Sequence, residues 1–168
     1  ELLSNGNAEQ ETADWYVHEG VFESLSRGQC NGRPPKTGER YFSVGGICES
    51  SAVAEVSQDI DLRAFDAWIE TGEAGLRFAA SMATWAKHDI PEAWVEIRDG
   101  QDDVIYTSRR LSSKAATWTQ QEIAVPVPPG AETARVILRG TRTHGDDNDA
   151  YFDDLSVRFS TSFSTIQD

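Results

Sequence analysis

The chain alternates apolar and polar residues over most of its length. Over residues 52–62 one parity carries Ala52, Ala54, Val56, Gln58, Ile60 and Leu62, and the other Val53, Glu55, Ser57, Asp59 and Asp61. A period of two is that of a strand with one face buried. The pattern returns with Leu76, Phe78, Ala80 and Met82 against Arg77, Ser81 and Trp85. It returns again with Ala93, Val95 and Ile97 against Trp94, Glu96 and Arg98, and with Ala134, Val136 and Leu138 against Arg135, Ile137 and Arg139. In the last run Asp153 shares a parity with Tyr151, Leu155 and Val157, which points its carboxylate inward. Further short strands are predicted near residues 2–4, 16–22, 41–44, 104–108 and 118–125. Turn signals separate them: Asn5-Gly6, Gly45-Gly46, Asp99-Gly100 and Pro128-Pro129-Gly130. Only residues 62–75 read as a short helical turn, with Phe65 and Trp68 placed to cap one end of the core. Many short strands with almost no helix predict an all-β, antiparallel two-sheet β-sandwich. One module is expected over residues 1–159, with residues 160–168 a Ser/Thr-rich tail or the start of a linker.

Composition narrows the function classes. The length of 168 residues is that of one domain, and 39% hydrophobic residues with 5 Trp, 7 Phe and 4 Tyr can fill a core. Lys plus Arg is 15 and Asp plus Glu 28, a formal charge of −13. Such a chain lacks the basic face that nucleic acid or an anionic membrane surface requires. No apolar run approaches the roughly 20 residues of a membrane-spanning helix. The basic residues are mostly Arg, with only Lys36, Lys87 and Lys114 as lysines, a composition compatible with a saline habitat or with codon bias. Cys30 and Cys48 flank a Gly/Pro-rich stretch. They are read as a disulfide, with two buried thiols as the alternative, and a disulfide implies an extracytoplasmic setting.

Several segments taken in order resemble the carbohydrate-binding module 4/9-like group. Leu3-Ser4-Asn5-Gly6-Asn7-Ala8-Glu9 is similar to that group's LxNGxFE opening. Thr37-Gly38-Glu39-Arg40-Tyr41 stands where the group has HSGxxaL, and Gln58-Asp59-Ile60-Asp61-Leu62 resembles its QxIdl strand. Trp118 followed by Pro126-Val127-Pro128-Pro129-Gly130 is similar to a W…vPpG segment, and Tyr151-Phe152-Asp153-Asp154-Leu155 to the closing yxDDvxl strand. The chain departs from the pattern at Ala8, where an aromatic stands, and at Thr37, where His stands. The resemblance implies a galactose-binding-domain-like jelly roll, found as a non-catalytic appendage of secreted polysaccharide-processing proteins. It also implies a structural calcium ion (Ca2+). Glu9 and Asp153 match the group's carboxylate ligands, and the carbonyls of Asn7, Lys36 and Gly38 would complete a shell of hard oxygens. The alternative for Asp153 is hydrogen bonding, or a pair with an arginine such as Arg40. The acidic loop Gly145-Asp146-Asp147-Asn148-Asp149 lacks the spaced ligands of a calcium loop and reads as a solvated hairpin.

A sugar is gripped by an aromatic ring against its apolar face and by planar polar groups on its hydroxyls. Trp94 with Glu96 and Arg98, Trp85 with Arg77, and Arg139 on a neighbouring strand form the expected ligand-binding platform. The alternative is that Trp94 is covered by residues 62–75 or by another loop. Trp15, Trp68 and Trp118 are assigned to the core or its lids. His18, His88 and His144 show no ligand spacing, and no nucleophile-elbow, zinc-protease, P-loop or dinucleotide motif occurs. The expected function is therefore non-enzymatic: a secreted or cell-surface glycan-binding module attached to other domains. The competing expectations are an adhesion or protein-interaction module of the same fold, and a small hydrolase or lyase on a jelly-roll scaffold.

Overall fold

Val, Ile, Phe and Tyr at alternate positions favour the pleated, half-buried surface of a sheet. In a computed structural model, described over residues 1–163, they form eleven strands in that range. In chain order these are β1 (Tyr16–Glu19), β2 (Phe22–Ser26), β3 (Arg40–Val44), β4 (Val53–Asp61), β5 (Gly75–Ala83) and β6 (Ile90–Arg98), then β7 (Val104–Thr107), β8 (Leu111–Ser112), β9 (Thr119–Pro126), β10 (Thr133–Thr141) and β11 (Tyr151–Ser160). One sheet runs β1-β4-β10-β6-β7, with β8 also on β6, and the other runs β2-β3-β11-β5-β9. All pairings are antiparallel. Val56, Val95, Val136 and Leu138 of the first sheet pack against Phe42, Phe78, Met82 and Phe152 of the second. This is the two-sheet sandwich that the alternation predicts.

The departures have local causes. Residues 16–22 are not one strand. β1 and β2 lie in different sheets and part at Gly20, whose φ is +72° and whose added Cβ would sit 2.2 Å from the Val53 carbonyl oxygen. Only glycine meets both conditions at low cost. Residues 2–4 form no strand; Leu2 donates one backbone bond to the Val157 carbonyl. β8 has no signal of its own in the alternation. Residues 62–75 hold a 3-10 turn (Arg63–Phe65) and the single-turn α1 (Asp66–Ile69). Phe65 stacks on Phe159 at 4.2 Å, but Trp68 is 50% exposed and caps nothing. Trp15 joins the core and Trp118 packs on Tyr41.

β11 breaks its alternation beside the expected metal-site residue Asp153. Its register slips between Asp153 and Ser156, at a bulge where Asp154 has φ 48°. Phe152 points into the core before the bulge, and Leu155 and Val157 after it. Asp153 therefore faces the outside of the five-stranded sheet, opposite Ser81, not the core as its parity predicts. It is nevertheless fully buried, because residues 36 and 37 cover it.

β11 extends through Ser160, and Phe163 donates its backbone N–H to the Glu73 carbonyl, so the packed unit reaches Phe163; residues 164–168 of the expected tail lie outside the described residues. Cys30 and Cys48 form the disulfide, 18 positions apart in sequence, with Cα atoms 5.3 Å apart. No helix among the described residues is long and apolar enough to cross a membrane.

Candidate functional site

The outer face of the six-stranded sheet is built in three rows by its register. Ser57, Ile137 and Trp94 lie side by side across β4, β10 and β6, and Tyr16 of β1 extends the row beside Ser57. On one side runs Glu55–Arg139–Glu92, and on the other Asp59–Arg135–Glu96. Arg135 clasps Asp59 with two bonds of 2.7 and 2.9 Å, and Arg139 donates to Glu55 at 2.9 Å. Arg98 bonds Glu96 at 2.6 Å and reaches Asp102 at 3.3 Å, which lies 3.7 Å from Arg135. Every arginine of these rows thus faces a carboxylate. The Arg135 bonds, ahead of its charge, hold Asp59 below the usual carboxylate range, although burial opposes this.

At the β1 edge this face opens into a pocket of ≈ 360 Å³, lined by Asp14, Tyr16, His18, Asp59 and Arg135 among others. The Tyr16 ring is 66% exposed and stands edge-on to His18, whose Nε2 lies 2.6 Å from the Ser57 hydroxyl. The pocket combines an exposed aromatic wall with a charged, hydrogen-bonded floor, the composition of a site for a hydroxyl-rich ring. The polar parity of Asp59 was visible in the sequence. Tyr16 and His18 were hidden in a strand read as continuous with β2.

The structure brings together four of the six expected platform residues. Trp94, Glu96, Arg98 and Arg139 share this face. Trp94 is only 5% exposed, because the Arg110 guanidinium lies 4.0 Å from its ring centroid and is anchored on both Glu92 oxygens at 3.2 Å. The cover therefore comes from the segment before β8 and not from residues 62–75. Arg77 and Trp85 belong elsewhere. Arg77 is on the outer face of the five-stranded sheet, paired with Glu122, and Trp85 follows β5 in a loop at one end of the sandwich.

The five expected metal-site residues converge on one loop. Asp153 Oδ2 accepts the backbone N–H groups of Lys36 and Thr37, and its Oδ1 that of Asp154. Glu9 Oε1 accepts the N–H groups of Glu39 and Arg40 and lies against Gly38. Asn7 accepts a long bond from the Glu9 N–H. Arg40 turns instead to Ser24, so it does not pair with Asp153. Burial, outweighing these amide bonds, pushes Asp153 up to about 6. A carboxylate so placed is short of positive charge. The acidic hairpin is not simply solvated: Asn148 is buried and donates to the Ser51 and Gly140 carbonyls.

The His18–Ser57 pair resembles a nucleophile and its base, but Ser57 is buried in mid-strand. β4 pairs with β10 along its whole length and with β1 over Glu55–Ser57, so the backbone at Ser57 is committed to the sheet.

No protein-family model matches the chain, and no curated protein does. Solved structures share its fold. "Family 16 Carbohydrate Binding Module-2" superposes with a TM-score of 0.67 at 16% identity, over 94% of this chain and 99% of that one. The carbohydrate-binding module TmCBM61, solved with β-1,4-galactotriose, gives 0.61 at 15% identity over 94% and 97%. The enzymatically active domain of tailspike protein 4 of bacteriophage CBA120 gives 0.67 at 14% identity, and there the chain spans 21% of the neighbour. The expected two-sheet sandwich is thus a fold that carbohydrate-binding modules of families 16 and 61 also adopt.

Proposed function

We propose that this chain is a non-catalytic carbohydrate-binding module of a secreted or cell-surface multidomain protein. The pocket at Tyr16 carries this reading: an exposed ring beside paired polar groups, on the open face of a fold shared with glycan-binding modules. A pyranose stacks its apolar face on Tyr16 and exchanges hydrogen bonds with His18, Asp59 and Arg135. Glu96, Arg98 and Arg139 extend the polar surface along the same face. The disulfide supports the extracytoplasmic setting. Screening the folded protein against immobilised neutral polysaccharides tests the proposal. Binding to one class, weakened at least tenfold by Tyr16→Ala, is expected; undiminished binding by that variant moves the site elsewhere. An adhesion role is the second reading, favoured by Val104 and Ile105, which stand exposed on edge strand β7. Silence across the screen from folded protein transfers the proposal to it.

We also propose a structural Ca2+ held by Glu9 and Asp153 with the carbonyls of Asn7, Lys36 and Gly38. The fully buried, electron-rich Asp153 fits a hard cation, and Glu9 Oε2 has no hydrogen-bond partner among the described residues. The ion would tie the chain start and the 36–40 loop to β11. It would take no part in sugar recognition.

A further inference from the structure

Trp85 stands apart from the sheet face, in the loop that follows β5. Trp85 is 57% exposed, and the residue before it is held by several hydrogen bonds. The preceding Thr84 is fully buried; its N–H donates to the Ala115 carbonyl and its hydroxyl to that of Lys114. Arg33 donates to the Thr84 carbonyl at 2.9 Å, and the Lys87 N–H to the Thr84 hydroxyl at 2.9 Å. The backbone that presents the ring is thus already ordered before a ligand arrives.

Trp85 lines a pocket of ≈ 250 Å³ together with Cys30 of the disulfide, Asn31, Ile47, Asp147, Asp149 and Tyr151. Asp149 Oδ1 is engaged by the Tyr151 hydroxyl, while Oδ2 has no partner among the described residues. Burial, more than its acidic neighbours, raises the pKa of Asp149, so this carboxylate gains from a new donor. The lining itself holds no Lys or Arg, and the nearby Arg33 guanidinium is engaged by the Thr84 and Ala116 carbonyls. A ligand must therefore bring hydrogen-bond donors and an apolar face, and must not bring negative charge. A neutral pyranose does all three. Its C–H face suits the indole, and its hydroxyls suit Asn31 and the two aspartates.

We infer that Trp85, Asn31, Asp147 and Asp149 form a second glycan subsite, selective for neutral over acidic sugars, at the loop end of the sandwich. The ligand class rests on the glycan reading above; the position rests on the pocket alone. Two sites on one module would let it engage a chain at two points, or two chains at once.

The 5 tryptophans give five indole N–H signals in a 15N spectrum, and Trp85→Phe identifies the one that belongs to Trp85. Neutral xylo-, gluco-, galacto- and manno-oligosaccharides are titrated into wild type, Tyr16→Ala and Trp85→Ala, with oligogalacturonate as the acidic control. The expected result is a saturable shift of the Trp85 signal that survives in Tyr16→Ala. Affinity at that site should fall at least tenfold in Asp149→Asn, which preserves side-chain shape. Binding that leaves Trp85 unmoved, with Trp85→Ala identical to wild type, overturns the second site and leaves the sheet-face site standing. A Trp85 shift with oligogalacturonate alone overturns the charge argument. Silence with every sugar removes both sites together.

Discussion

Arg110 decides what Trp94 can do. Its guanidinium over the ring, tied to Glu92, turns an outward-facing indole into a packed one. Trp94→Ala is thus expected to cost about 3–5 kcal/mol in urea unfolding, as for a buried aromatic. Unchanged stability with lost glycan binding would instead make Trp94 the platform. Arg110→Ala should leave the fold intact and shift tryptophan emission to the red as the ring meets water. The alternation in sequence revealed which way Trp94 faces, because that follows from strand period alone. Its burial was not legible, since the covering side chain comes from a distant segment with no signal of its own. Trp85 shows the converse: its exposure follows from a loop held by Thr84, an arrangement of long-range bonds that no local pattern encodes.

At the scale of elements, strands whose residues alternate strictly were readable, whereas breaks in register were not. β4, β6 and β10 pair over their full lengths without a shift. The bulge in β11 and the change of sheet at Gly20 depend on single residues with positive φ. These moved Asp153 off the core parity and concealed Tyr16 as a site residue. Cross-strand pairing gives a pH prediction. Arg135 lowers the pKa of Asp59 in the folded chain, so the folded state holds that proton more weakly than the unfolded chain does. The pair's contribution is present above the unfolded value of about 4 and is lost as pH falls through the folded one. Wild type should exceed Asp59→Asn in urea midpoint at pH 7, and the gap should close toward pH 3. A gap that widens on acidification contradicts this pairing. Reducing the Cys30–Cys48 disulfide removes a constraint on the unfolded chain worth about 3 kcal/mol for a loop of this length. A reductant should lower the urea midpoint accordingly, and an unmoved midpoint would assign the bond no role in stability.

For the whole molecule, the two sheets make a scaffold whose open face and loop end carry separate pockets, and the acidic chain disfavours anionic partners. The proposed ion would act on stability and not on binding. Calcium is expected to raise the melting temperature and chelator to reverse the rise, with Asp153→Asn insensitive to both. A melting temperature indifferent to calcium would leave the amide bonds of Glu9 and Asp153 as the whole of that anchor. Glycan binding on the six-stranded face is tested by a map of backbone amide shifts on titration with a neutral oligosaccharide that the protein retains. Shifts are expected to cluster on β1, β4 and β10 around Tyr16, His18, Asp59 and Arg135. Shifts confined to the five-stranded sheet, with those four residues still, would contradict it.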